Sequence, residues 1–435
     1  MSNRHVKEAF VWGRGYFDMF SLEIFIETGT FINNKPTLFH EFTHYLQNMT
    51  TINGYVNIDK YIKIFLTAFS KLGSDENNPL LPLSRYSELQ NVLQNKNLDT
   101  LRESRCLGMV FEDDEYKFHA TELDDYSITM IDINDTYNNQ LKKIPFIAID
   151  EKNIPLNEIV IRENMAMVNS LIIEKEGDII SSEIINEIIG YQYKEYIVLF
   201  DFINNFLPGK NLLKLVYCIS EMCLNLLPMG EFAYKIFYFI KENHEELREL
   251  DTDVILNKIK QAVNYDAVYL KLFEALEHFT NEINNLFDSF NFRENEFVKI
   301  LKDFHAFLVK GIEYRSIQET FYENNITNEY IQKFVSVIGC PIIYFADSHR
   351  TEIFSEVPDY FISNFSYLHG ALKIFVDLYY IENPKKCPFF DYNICTFIKN
   401  DNCKNNYLRN HNYDIYESCL LTNSLLCAGI KKRDS

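Results

Sequence analysis

The chain lacks any apolar run long enough to cross a bilayer. Its most apolar stretches, Tyr196 to Phe202 and Leu212 to Ile219, are short or broken by polar residues, whereas a membrane helix needs about 20 apolar residues. No membrane partner is expected. The stretch Met1 to Tyr16 carries charges and has no continuous apolar core. A secretory signal has that core, so a cytoplasmic location is expected.

Positive charge is also scarce. Lys and Arg number 42 against 62 Asp and Glu, for a formal net charge of -20. Such a surface repels phosphate backbones and anionic lipid, so no nucleic-acid partner is expected. Lys431, Lys432 and Arg433 form the one short basic cluster, which reads as a solvated tail.

The nine cysteines include no C-x-x-C pair. An odd count without export features points to reduced thiols rather than a disulfide framework. Cys387, Cys395, Cys403, Cys419 and Cys427 crowd the last fifty residues. They are expected to act as small hydrophobes, with a second zinc or iron–sulfur site as the alternative. Internal repeats and low-complexity segments are absent too.

What is present describes a globular chain. Apolar residues make up 47% and charged residues 24% of 435, a composition that folds rather than staying disordered. The length exceeds what one core usually organises. The expected division is a catalytic core over 1–180 with an inserted loop and sheet region at 75–155, a helical domain over 181–380, and a Cys-rich segment over 381–435.

Alternation of Phe20, Leu22, Ile24 and Ile26 with Ser21, Glu23, Phe25 and Glu27 predicts extended structure within Met19 to Phe31, with a turn at Thr28-Gly29-Thr30. A helix follows, with Asn34 as cap, Pro36 in the first turn and an end near Met49. Asn53-Gly54 is expected to break it, with a further helix over Tyr61 to Leu72. A polar loop over Ser74 to Pro82 follows. Strands are predicted at Tyr116 to Ala120, Tyr126 to Ile133 and Ile144 to Ile149. Helical periodicity then dominates, at Glu163 to Glu174, Glu183 to Phe206, Leu212 to Leu226, Phe232 to Arg248, Val254 to Phe287 and Glu294 to Val309.

The chemistry sits in His40-Glu41-Phe42-Thr43-His44, an H-E-x-x-H sequence. On a helix, the two histidines lie one turn apart and point the same way. That geometry offers two imidazoles to one tetrahedral zinc ion. Glu41, between them, reaches a water beside the ion and can serve as general base and then acid. At about 100 degrees per residue, His40, His44 and Gln47 share one sector, opposite Leu38, Phe42, Tyr45, Leu46 and Met49. The histidines are therefore expected to face a cleft, away from the buried stripe.

The segment from Lys35 to Thr50 resembles the active-site helix of the zincin metallopeptidases. Gln47 and Thr50 stand where the metzincin branch has Gly and His, so the resemblance is to the gluzincin branch. That branch takes its third ligand from a Glu on a later helix. Glu163, in Arg162-Glu163-Asn164-Met165-Ala166, supplies the similar E-x-x-A pattern, with Ala166 small enough for close helix approach. Glu319 is the rival and Asp125 a further option. The gap from His44 to Glu163 is longer than in compact gluzincins, and the inserted sheet would account for it. The resemblance also implies a strand lining the cleft, a place for Leu22 to Ile26. It implies an oxyanion donor as well, for which Tyr314, Arg315, His349 and Arg350 stand open.

The expected fold is α+β and predominantly helical. A zincin-like N-terminal core carries a small inserted antiparallel sheet, and the C-terminal part is largely helical. The expected function is zinc-dependent hydrolysis of a peptide or protein substrate, with Zn2+ held by His40, His44 and Glu163 and Glu41 as base. The alternatives are a helical binding or structural protein with a structural or vestigial metal site, and zinc hydrolysis of a small amide or ester. Oligomeric state is not legible.

Overall fold

The computed structural model describes residues 15–18, 22–27, 35–59, 62, 126–135, 140–149, 152–174, 194–289, 304–305, 308–309, 312, 341–345, 350–352, 372–373 and 387. Among them the protein is predominantly helical, with two small sheets.

Strands β1 (Gly15–Asp18) and β2 (Glu23–Ile26) form an antiparallel hairpin that precedes helix α1 (Lys35–Thr50). Strands β3 (Ile128–Asp135), β4 (Gln140–Ile149) and β5 (Lys152–Pro155) follow as an antiparallel meander. Five described helices come next in sequence: α2 (Glu158–Glu174), α3 (Lys194–Phe206), α4 (Leu212–Leu224), α5 (Met229–Arg248) and α6 (Thr252–Ala262). Helix α7 (Tyr265–Ser289) and the hairpin β6 (Ile342–Phe345) and β7 (Arg350–Glu352) complete the described elements.

The expected inserted sheet is present between α1 and α2. Of its predicted strands, the segment from Tyr116 to Ala120 lies outside the described residues. So do the loop Ser74 to Pro82 and most of the helices expected at Tyr61 to Leu72 and Glu294 to Val309. The pattern did not announce β5, whose four residues end on Pro155. A proline at a strand end sacrifices no central ladder bond.

The first sheet has the order β1-β2-β6-β7, and β2 pairs with β6 in parallel, Ile24 opposite Ile343. Glu23 to Ile26 is therefore paired on both sides as an interior strand, with β1 and β7 at the two ends of the sheet. Strand β6 pairs antiparallel with β7, Phe345 opposite Arg350.

Helix α1 begins and ends close to its predicted bounds. Leu38, Phe42, Tyr45, Leu46 and Met49 are all buried as expected. Each such side chain contributes on the order of 1.5–3 kcal/mol by leaving water. Phe17 of β1 meets the edge of the Tyr45 ring at 6.1 Å between centroids, fixing the helix on the hairpin. In the opposite sector Gln47 is buried and His40 and His44 are only partly exposed, because α2 packs along that side.

Two helix boundaries differ from expectation. Asn53-Gly54 does not stop the chain, because residues 52–59 are helical again after a bend at Thr51. Thr51 Oγ1 accepts from the Gly54 N–H at 3.0 Å and starts the new turn. A Cβ on Gly54 would lie 2.3 Å from the Gln47 carbonyl, so the glycine permits contact with the motif helix rather than breaking it. The single helix expected over Val254 to Phe287 divides into α6 and α7 at Val263 and Asn264. Asn264 takes a left-handed φ of 52°, which Asn tolerates better than most residues.

One buried cluster runs from Ile147 of β4 through α2, α3, α4, α5 and α6 to Tyr265. It supports α2 from the side facing away from α1. No helix among the described residues is long and apolar enough to cross a membrane.

Candidate metal centre

Helix α2 starts at Glu158, five residues before Glu163. Asn157 caps it, its Oδ1 accepting from the Val160 N–H at 2.9 Å. Glu163 therefore lies in the second turn, not at the helix opening as its sequence pattern suggested. Macrodipole attraction within the first turn does not explain its place. Ala166, one turn on, is fully buried as the close approach of α1 and α2 requires.

The predicted residues meet across this helix pair. Glu163 Oε2 lies 2.9 Å from His40 Nε2, and Glu163 Oε1 lies 3.4 Å from His44 Nε2. One donor atom from each of the three residues falls within 4.8 Å of the others. Bonds of about 2.0–2.1 Å to a tetrahedral ion would separate donor atoms by about 3.3 Å. The two measured separations bracket that value. Two imidazole nitrogens and one carboxylate also form a donor set suited to zinc, so the side chains fit a metal site. The side chains of His40, His44 and Glu163 remain 14%, 12% and 21% exposed, so the group is recessed but reachable.

The two neighbouring carboxyl groups are driven apart. Burial pushes the Glu41 carboxyl up, with the Glu163 charge adding to it. His40 and a hydrogen bond from the Phe17 backbone oppose that rise, and the group ionises at about 7. Burial acts upward on Glu163 as well, but the charges and hydrogen bonds of His44 and His40 outweigh it. Glu163 stays ionised well below the usual carboxylate range. Proximate carboxyl groups separated in this way are a recurrent mark of acid–base sites.

A pH dependence of stability follows for the metal-free protein. Unfolded Glu41 ionises near 4.5, while the folded group holds its proton to about 7. The folded state binds more protons in that interval. The stability from this group is full below about pH 4.5 and lost as pH rises through about 7. Glu41→Gln mimics the protonated form. Thermal melts at pH 8 with a chelator should show Glu41→Gln above wild type by up to about 3 kcal/mol. Equal melting at pH 8 would refute the buried, protonated carboxyl.

Beneath the site the α1–α2 seam is polar and buried. Arg162 Nε lies 2.7 Å from Glu158 Oε1, one turn back on α2. Its terminal nitrogens donate to Asn48 Oδ1 at 2.7 Å and to Asn53 Oδ1 at 3.3 Å. Asn57 Nδ2 donates to the same Glu158 oxygen at 2.7 Å. Asn169 Nδ2 donates to Thr43 Oγ1 at 2.8 Å, two residues beyond Glu41 in the motif. These contacts fix the rotation and register of the two helices. Sequence reading missed them, although Glu158 and Arg162 at i and i+4 inside an apolar helix were a signal.

Glu319, Asp125, Tyr314, Arg315 and His349 lie outside the described residues, and of Arg350 only the backbone is described. Cys387 is buried, consistent with a small hydrophobe, and Cys395, Cys403, Cys419 and Cys427 are outside the described residues. Cys223 is a buried thiol, and burial pushes it up to about 12. No family model matches the chain, and no curated protein or solved structure matches it.

Proposed function

We propose that this protein is a zinc-dependent hydrolase of the zincin type, acting on peptide bonds. The observation that carries the reading is the convergence of two histidine Nε2 atoms on Glu163, a carboxylate from a second helix, beside a separate carboxyl, Glu41. His40, His44 and Glu163 would hold the ion. Bound zinc would supply Lewis acidity, polarising a carbonyl and making water a stronger nucleophile at neutral pH.

Glu41 has the complementary task. Its carboxylate takes a proton from the attacking water and delivers it to the leaving nitrogen. Its neighbour Glu163, ionised throughout the neutral range, is suited to remain a ligand and not to exchange protons. The chain thus assigns different work to two carboxyl groups by giving them different surroundings.

A peptide substrate is what the resemblance of Lys35 to Thr50 to the active-site helix of the zincin metallopeptidases implies, and the Phe17 backbone, which hydrogen-bonds Glu41, places β1 beside the site.

The test measures zinc content and cleavage of a diverse peptide library by the full chain. One zinc per chain and chelator-sensitive cleavage are expected. Glu163→Ala should lower zinc affinity by more than the roughly 10–100-fold that loss of an outer partner costs. Zinc bound equally well by Glu163→Ala would remove Glu163 from the ligand set. Stoichiometric zinc with no cleavage of any peptide would refute the peptidase.

A further inference from the structure

Gln47 joins the two helices at the site. It is fully buried on α1, one turn beyond His44. Its Nε2 donates to the Arg162 carbonyl at 2.9 Å, and its Oε1 lies 2.9 Å from His44 Nδ1.

Chemistry fixes the direction of both bonds. A backbone carbonyl only accepts, so the amide must turn its NH2 to Arg162. The amide oxygen is then left for His44, and it too only accepts. His44 Nδ1 must therefore carry the proton. A metal ligand must be a neutral imidazole, which has one such proton, so when His44 ligates, Nδ1 keeps that proton and Nε2 offers its lone pair. Nε2 is the nitrogen that faces Glu163 at 3.4 Å.

We infer that Gln47 is a positioning residue: clamped by the Arg162 carbonyl, it holds His44 as the Nδ1–H tautomer and aims Nε2 at the metal position. This rests on the metal-site reading above. The carbonyl that clamps Gln47 belongs to the residue just before Glu163. One turn of α2 thus provides a ligand directly and orients a second ligand through Gln47. The Arg162 side chain, held by Glu158, Asn48 and Asn53, anchors that same turn.

The fitting variant is Gln47→Met, which keeps a similar length and loses both hydrogen bonds. Two readouts are needed on the full chain. Long-range proton–nitrogen spectra of histidine-labelled, metal-free protein at pH 8 report the tautomer of each ring. His44 is identified by the signals missing in His44→Asn. Competition with a chromophoric chelator reports zinc affinity.

Wild type should show His44 protonated at Nδ1, and Gln47→Met should show a mixture or the Nε2–H form. Zinc affinity should fall about 10–100-fold in the variant. His44 in the Nε2–H form in wild type would overturn the inference, even if Gln47→Met failed to fold. Unchanged zinc affinity in a folded Gln47→Met would overturn it as well, since it would leave Gln47 with packing alone. Failure of wild type to bind zinc would instead sink the metal-site reading. The wild-type tautomer would then decide separately whether Gln47 orients His44.

Discussion

Glu41→Gln should reduce hydrolysis by about 10²–10⁴-fold, the usual worth of a positioned general base, while zinc stays bound. The amide is isosteric with the protonated acid but cannot take a proton. Retention of zinc is expected because the cluster that could hold the ion is made by His40, His44 and Glu163 and does not include Glu41. The variant should also fold, since the buried pocket already favours an uncharged side chain at position 41. The loss should therefore fall on turnover, read as kcat at saturating peptide with zinc content measured on the same sample. A loss below about tenfold would mean that another group takes the proton. Loss of zinc with activity would mean that Glu41 supports the ion rather than the water.

Arg162→Met should be the most damaging substitution for folding, by about 3–5 kcal/mol. Arg162 is buried, and burial pulls its guanidinium down from its ordinary value, with Glu158 and Glu163 acting to keep it charged. Removing it leaves the Glu158 charge in the seam with the Asn57 amide in place of a cation, and takes a donor from both Asn48 and Asn53. A buried charge left without its partner costs more than the pair contributes. The double variant Glu158→Gln with Arg162→Met should recover part of the loss, because neither charge is then left alone. Denaturant unfolding of metal-free protein measures both. A loss under about 1 kcal/mol for Arg162→Met would show that the seam is not what holds α1 against α2.

The parts of this site that were legible in the sequence are those with local causes. His40 and His44 are brought together by helical spacing alone, and Pro36 and the apolar phase mark the helix that carries them. Glu163 was legible through a short pattern, E-x-x-A, whose small residue records close packing. Its depth in α2 was not, because Asn157 caps the helix earlier than its apolar periodicity suggests.

The seam was hidden for a different reason. Gln47, Asn48, Asn53, Asn57, Glu158 and Arg162 are residue types that usually face water, and a pattern of polar and apolar positions assigns them to the surface. They are buried here because each finds a partner across the contact of α2 with α1 and the helical turn at 52–59, and a partner on another helix leaves no trace in local periodicity. The histidines do lie off the buried stripe and stay partly exposed, but the α2 carboxylate opposite them is not legible in the local pattern. The parallel pairing of Ile24 with Ile343 is equally non-local, and nothing in the four residues of β2 states which distant strand will lie beside it. Asn53-Gly54 shows the limit of punctuation rules. The dipeptide reads as a stop, but its glycine permits a close crossing and its asparagine accepts from Arg162.

The most direct measurement is anomalous diffraction at the zinc edge, on crystals of the full chain grown with zinc. An ion should lie about 2.0–2.2 Å from His40 Nε2, His44 Nε2 and a Glu163 oxygen, with Glu41 beside it and not bound. Zinc located elsewhere, or no anomalous peak between these three side chains at saturating zinc, would contradict the metal centre and the hydrolysis built on it.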